Sequence, residues 1–447
     1  MGELGLRDLL ITLVVFGSIP MIFKRPYIGI LMWCWLGYMS PHRLTYGFAY
    51  EMPFAAIIAA STLLSFLMNK DQRQPLPKDS IVTLWWVFII WCGLTTFFAF
   101  YPADAWLIYK KFLKIIIMTF VMLMLVTDKD KLNKVIWVIA LALGFFGVKG
   151  GVFTILTGGS SRVWGPPGSF IEGNNELALA LLMLIPLVNY LRVVSVKQWV
   201  KYGCLGAMVL IGIAAIGSQS RGALLAAGAM VFYFWTKSDK KVASGILLAI
   251  VVVNIYLFMP QGWHDRMDTI ATYQTDGSAM GRINAWWEAF NVANDRILGA
   301  GFNHYSAEIF AIYAPNPTDV HAAHSIYFQV LGGQGWIGFI IFMAFCISSL
   351  RLSKKIAVKT KNIEKLDWAN LLSKMIYVSL IAYAVGGSFL SLAYFDLPYH
   401  LIAMLLLTNL IVDKELNKPM DHTKNKDNSK KEKTARVEVL GKGLSNV

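Results

Sequence analysis

Apolar stretches long enough to cross a bilayer recur along the whole of this 447-residue chain, and no other feature constrains its fold as tightly. A helical crossing needs roughly 17 to 25 mostly apolar residues. Amides in hydrocarbon have no water to bond, so spanning segments must be helices or closed barrels. The period-two alternation of a membrane barrel is missing, which leaves helices. Thirteen apolar runs fall near residues 9–22, 27–39, 53–68, 81–98, 112–126, 135–156, 177–191, 202–216, 223–235, 242–259, 326–350, 371–392 and 397–411. The first two are short for a crossing and are split by Phe23-Lys24-Arg25-Pro26. The expected fold is an all-α polytopic transmembrane helical bundle of about 12–13 spans with one large outer (periplasmic) loop. Composition agrees: 56% of residues are hydrophobic and 15% charged, against about a quarter charged in soluble domains.

The formal charge of +14 does not point to nucleic acid, because of where the cations sit. They gather in short segments between apolar runs and in the tail, as the positive-inside rule requires, and no folded reading module accompanies them. From Val242 to Ser353 there is no lysine, and residues 260–323 carry three arginines against seven acids. That loop is therefore outside and the basic tail inside. Thirteen crossings put the N-terminus outside; a re-entrant first hairpin puts it inside. Lys110, Lys111 and Lys114 break the pattern by falling on the outer side. Either they have a task there or a neighbouring crossing is misassigned.

The expected organisation is transmembrane helices over 1–259, a loop with short helices over 260–324, further transmembrane helices over 325–412, and a basic, unfolded cytoplasmic tail over 413–447. Helical patterning within the loop runs over 281–293 and again near 305–313. Cys34, Cys92, Cys204 and Cys346 lie inside apolar runs without metal-ligand spacing and read as small buried hydrophobes. The N-terminus lacks a basic n-region and a small-residue cleavage site, so no removable signal peptide is expected, and Arg7 argues against myristoylation from Gly2.

Three places interrupt the apolar text with residues that are costly near a membrane. Ser218-Gln219-Ser220-Arg221-Gly222 separates two apolar runs on the outer side. Its guanidinium fork suits phosphate, and the bland alternative is an arginine snorkelling to water. Gly281-Arg282-Ile283-Asn284-Ala285-Trp286 puts Arg282 and Trp286 on one helix face, where the bland alternative is the arginine stacked on its tryptophan. The turn Gly299-Ala300-Gly301 leaves room for a close approach. Asp319-Val320-His321-Ala322-Ala323-His324-Ser325 directly precedes the run that re-enters the membrane. A histidine there is suited to general-base work, its ordinary pKa being about 6.5. The bland alternatives are that it caps the helix, or that His321 and His324 with Asp319 or His304 hold a metal. Arg162 and Glu172, in the Gly- and Pro-rich loop 158–175, and the lysine trio are further candidates that a phosphate-rich outer ligand would unite. No Walker loop, GxSxG elbow or HExxH occurs.

Together these motifs resemble the O-antigen ligase and polymerase superfamily. The likeness rests on Ser-x-Ser-Arg-Gly, Gly-Arg-x-x-x-Trp, the Gly-x-Gly-Phe turn and the text running from Ala323-His324-Ser325 through Gly332-Gly333-Gln334-Gly335-Trp336-Ile337-Gly338. Lys24-Arg25-Pro26-Tyr27-Ile28-Gly29 and Tyr38-Met39-Ser40-Pro41-His42-Arg43-Leu44 resemble O-glycosylation ligases associated with exosortase systems. The likeness covers roughly residues 1–412. It implies a bacterial inner-membrane enzyme that moves a glycan from undecaprenyl diphosphate to an acceptor hydroxyl of a protein, lipid or glycan on the periplasmic face. No metal, cofactor or nucleotide sugar is implied. Arg221 and Arg282 match the family's diphosphate-holding arginines and His324 its general base, which makes these three the catalytic candidates. Arg162, Lys110, Lys111 and His321 are the candidate substrate-binding residues. Two departures stand out: the usual His-Asn pair is His324-Ser325 here, and the upstream histidine, His321, lies three residues back rather than two. A polymerase sharing the same donor is the rival within the class. A polysaccharide exporter or flippase is the rival outside it, although transporters place charges at the midplane on broken helices, whereas here they cluster at the outer rim.

Overall fold

The computed structural model describes residues 5–268 and 277–417, so most of the expected tail 413–447 and part of the loop lie outside the described residues. Ten helices come first: α1 (Leu6–Lys24), α2 (Tyr27–Met39), α3 (Phe54–Met68), α4 (Ser80–Phe97), α5 (Pro102–Leu125), α6 (Lys129–Leu156), α7 (Asn174–Val194), α8 (Gln198–Gly217), α9 (Arg221–Lys237) and α10 (Lys241–Phe258). The loop supplies α11 (Gln261–Asp268), α12 (Gly277–Asp295) and α13 (Ala307–Tyr313), and the bundle closes with α14 (Ile326–Lys359), α15 (Asp367–Gly386) and α16 (Asp396–Leu416). Among the described residues every regular element is helical. Nine of the described helices are long and apolar enough to cross a membrane, while α2 and α3 are shorter.

Contacts between loops sort the helix ends onto two faces. At the first turn of α1, Arg7 donates to the Leu44 carbonyl (3.2 Å) and Asp8 accepts from the Ala49 amide (2.9 Å). At its last turn the Ile22, Phe23 and Lys24 carbonyls accept from Ser65, Asn69 and Gln72, which end or follow α3. Helix α1 therefore runs the full distance between the faces, and the re-entrant alternative for the first hairpin does not hold. Arg296 of the long loop donates to the Phe98 carbonyl (2.9 Å), so α5 starts on the loop face. Gln74 bonds the carbonyls of Leu123 and Val126, so α5 ends on the opposite one. Lys110 and Lys111 thus sit in the loop-face half of α5, and Lys114 lies at its middle.

Packing follows membrane rules, in which small residues let backbones approach. On α6, a Cβ at Gly151 would stand 2.2 Å from the Leu210 carbonyl oxygen of α8, and one at Gly147 would stand 2.6 Å from Ile211. The bundle is graded from centre to rim: 78% of the apolar stretch of α16 is buried, against none of that of α10. In the loop, α12 buries Gly281, Asn284, Ala285, Glu288, Ala289 and Val292, a helical stripe of three- and four-residue steps that lies against α14.

Helix α14 is broken at Gly335 (φ +66°), and the Gly299-Ala300-Gly301 turn fits into the break. The amides of Ala300 and Gly301 donate to the carbonyls of Gly332 and Gly333, each at 2.9 Å. A Cβ at Gly299 would meet the Gly335 nitrogen at 2.6 Å, and one at Gly335 would meet the Ile297 oxygen at 2.2 Å. The room for close approach legible in that turn is thus taken by the chain's own backbone. Gln334 completes the joint, its carbonyl accepting from Trp91 Nε1 (2.8 Å) and its side chain bonding Thr95 and Tyr394.

Candidate active site on the loop face

Where the loop hands the chain back to the bundle, local sequence fixes an unusual backbone. His324 takes a left-handed conformation (φ +42°) and Ser325 returns to extended φ/ψ as the N-cap of α14. Holding a non-glycine residue there costs about 1–3 kcal/mol and needs a surrounding clamp. Trp286 of α12 supplies one: its Nε1 donates to the Ala323 carbonyl (2.7 Å) and its ring stacks on Phe328 of α14 (centroids 5.1 Å apart, planes at 7°). Asn284 holds the preceding stretch by donating to the carbonyls of Asn316 (2.8 Å) and Asp319 (2.9 Å). Trp286 therefore ties the helix that carries Arg282 to the segment that carries His324.

His324 is half-buried, and among the described residues its Nδ1 finds no hydrogen-bond partner. Burial first, then the positive charges of Arg282 and His321, push its pKa down from 6.5 to about 4. Both Arg282 and His321 thus lie within electrostatic reach of His324. His321 is exposed and bonded to Asp319 (2.8 Å), with its ring lying against Gly281, where a Cβ would clash at 2.8 Å. His304, the other histidine considered for a metal, is fully buried with Glu288 (3.1 Å). Among the described residues no three His, Cys, Asp or Glu side chains converge as a metal site needs.

Arg221 begins α9, whose N-cap Ser220 accepts from the Ala223 amide (3.2 Å) after a left-handed Gln219 (φ +58°). The turn at 386–389 joins this helix start to that of α14: Gly222 abuts Phe389, and Gly387 abuts Ile326. Gln219 donates to the Gly159 carbonyl (3.0 Å) and accepts from Arg162 Nε (3.4 Å), which brings Arg162 to the same rim. Asn174, at the start of α7, donates to the Ser218 carbonyl (2.7 Å). Two residues on, Glu176 lies within electrostatic reach of Arg282.

His324, His321, Arg282, Arg221 and Arg162 therefore ring one area of the loop face, and Glu176 joins them unannounced by its sequence. An acid in the first turn of a helix reads simply as a dipole partner, which hid it. Glu172, the carboxylate singled out instead, braces its own loop by accepting from the Gly168 amide (2.8 Å). The lysines do not join the ring. Lys111 and Lys114 line a separate cavity with Arg43, and Lys110 lies 5.9 Å over the Trp106 ring.

Two segments of the chain match known families. Residues 206–343, which hold Arg221, Arg282, His321 and His324, match the family described as O-antigen ligase. This segment is similar to O-antigen ligase domains. Residues 6–196, which hold Arg162 and the lysine trio, match a family of unknown function (DUF5935). No curated protein matches the chain. The match, together with the apolar helices, supports a membrane glycosyltransferase-type function. Arg221, Arg282 and His324 lie at the start of α9, on α12 and directly before α14.

Proposed function

We propose that the protein transfers a glycan from undecaprenyl diphosphate to an acceptor hydroxyl, with the loop face on the periplasmic side of a bacterial inner membrane. The observation that carries this reading is the Trp286–Ala323 hydrogen bond, which holds His324 beside Arg282 at the rim of the bundle. A lipid diphosphate is already a good leaving group. The transfer then needs charge stabilisation on the phosphates and removal of the acceptor proton. Arg282 and Arg221 supply the first through charge-assisted hydrogen bonds, and Arg162 and His321 extend the same rim. His324 supplies the second, worth about 10²–10⁴-fold in rate.

The depressed pKa of His324 fits this sequence of events. The free protein keeps the ring neutral. A bound diphosphate offsets the charge of Arg282 and raises the basicity of His324 when the acceptor arrives. The arginines provide the cationic charge, so the reaction runs without a metal ion. The motifs Lys24–Gly29 and Tyr38–Leu44 favour the exosortase-associated subgroup. Clustering of the charges at the rim, rather than at the midplane, favours transfer over export.

Purified protein in proteoliposomes with an undecaprenyl-diphosphate glycan and acceptor should form a glycosidic bond of inverted anomeric configuration, with EDTA present. A retained configuration contradicts attack by the acceptor in one step.

A further inference from the structure

Three cavities in the part of the bundle built mainly from residues 6–196 meet end to end, and His324 lines none of them. The first is a trough of about 490 Å³ between α6, α7 and α8, apolar along almost its whole length. It follows α6 from Trp137 to Lys149, about 18 Å at 1.5 Å per residue. The second, of about 680 Å³, opens toward the loop face and shares Phe145 and Lys149 with the trough; its walls include Trp35, Tyr46 and Tyr50. The third, of about 350 Å³, shares Arg43 and Pro167 with the second and adds Lys111 and Lys114.

Charge marks this track as amphiphilic. Lys149 sits seven residues from the loop-face end of α6, about 10 Å inside the bundle. It is exposed, and among the described residues it has neither an ion pair nor a hydrogen bond. A lysine at that depth is costly unless something answers its charge. Lys111 and Lys114 are likewise without ion pairs among the described residues. Arg43 is partly answered by Glu51 (3.2 Å), and the third cavity holds one carboxylate, Asp396. The cations still exceed the acids, and they lie toward the loop face while the apolar trough leads away from it.

We propose that this track is a binding site for a single-chain, phosphate-bearing lipid. Its chain lies in the trough, its phosphate at the neck beside Lys149, and its polar extension runs past Arg43 toward Lys111 and Lys114. A single trough one helix face wide suits one unbranched chain rather than the paired chains of a phospholipid. The site goes beyond the transfer reading and stands without it, because none of its walls contains His324, Arg282 or Arg221.

Binding of radiolabelled undecaprenyl monophosphate to the purified full-length protein in neutral detergent tests the proposal. Gly203 lines the trough, and a Cβ added there meets nothing within 4 Å, so Gly203→Phe fills the trough without a clash at its base. The wild type should bind the probe, and Gly203→Phe should abolish binding. Lys149→Ala should weaken it about fivefold, the worth of one cation beside an anionic headgroup. Excess dioleoylphosphatidylglycerol should fail to displace the probe. Wild-type binding by both variants overturns the proposal, as does displacement by phosphatidylglycerol at equal concentration. Loss of binding in Arg282→Ala with retention in Gly203→Phe places the probe at the other site and overturns it too. Absence of glycan transfer with the probe still bound would count against the transferase reading alone.

Discussion

His324 shows how far a single residue carries the account. Its neutral form is held by burial and by the neighbouring charges of Arg282 and His321, so lowering the pH through 6.5 leaves it unprotonated; protonation comes only near 4. The acid limb of kcat/KM, which reports the free enzyme, should therefore lie well below 6.5. The limb of kcat should lie above that of kcat/KM, because bound diphosphate favours the imidazolium. A kcat/KM limb at 6.5 or higher contradicts the assigned environment. His324, Arg282 and Arg221 were legible because arginine and histidine are costly residue types at a membrane rim. Glu176 was not, since its partner lies about a hundred residues away in a helix it meets only after folding. The lysine trio was legible as an anomaly, but not that Lys111 and Lys114 wall a separate cavity, because only the fold decides which cations share a space.

At the scale of elements, the apolar text located the helices, and polar side chains carried some helix ends up to ten residues beyond the apolar runs, as at the start of α5. Helix α14 continues to Lys359 past the expected 350, carrying Arg351, Lys354 and Lys355 on an amphipathic end. The break within it could not be read, because Gly332-Gly333-Gln334-Gly335 is equally compatible with a tight helix contact. Gly335→Ala should cost about 2–3 kcal/mol from the left-handed backbone alone, and more from the clash with the Ile297 oxygen. Thermal unfolding in detergent measures this, with Gly228→Ala on α9 as the control, since a Cβ there meets nothing within 4 Å. Equal melting temperatures for the two variants would contradict the wedge of residues 297–301 into α14.

For the whole molecule, the two faces are fixed by contacts between loops, and the distribution of lysine assigns their sides. A membrane-impermeant maleimide added from the periplasmic side should label Ser160→Cys and leave Lys361→Cys unlabelled; the reverse pattern would invert the topology. Cys34, Cys92 and Cys204 are buried and Cys346 is only partly exposed, which keeps the background low. The bundle thus presents His324 and its arginines at one rim and the amphiphilic track in its N-terminal half. The most direct test of the central claim is glycan transfer in proteoliposomes by wild type, His324→Ala, Arg282→Ala and Arg221→Ala at matched insertion. Transfer should collapse about 10²-fold or more in each variant, as expected for loss of a base or a charge clamp. Transfer by His324→Ala at the wild-type rate would contradict the account.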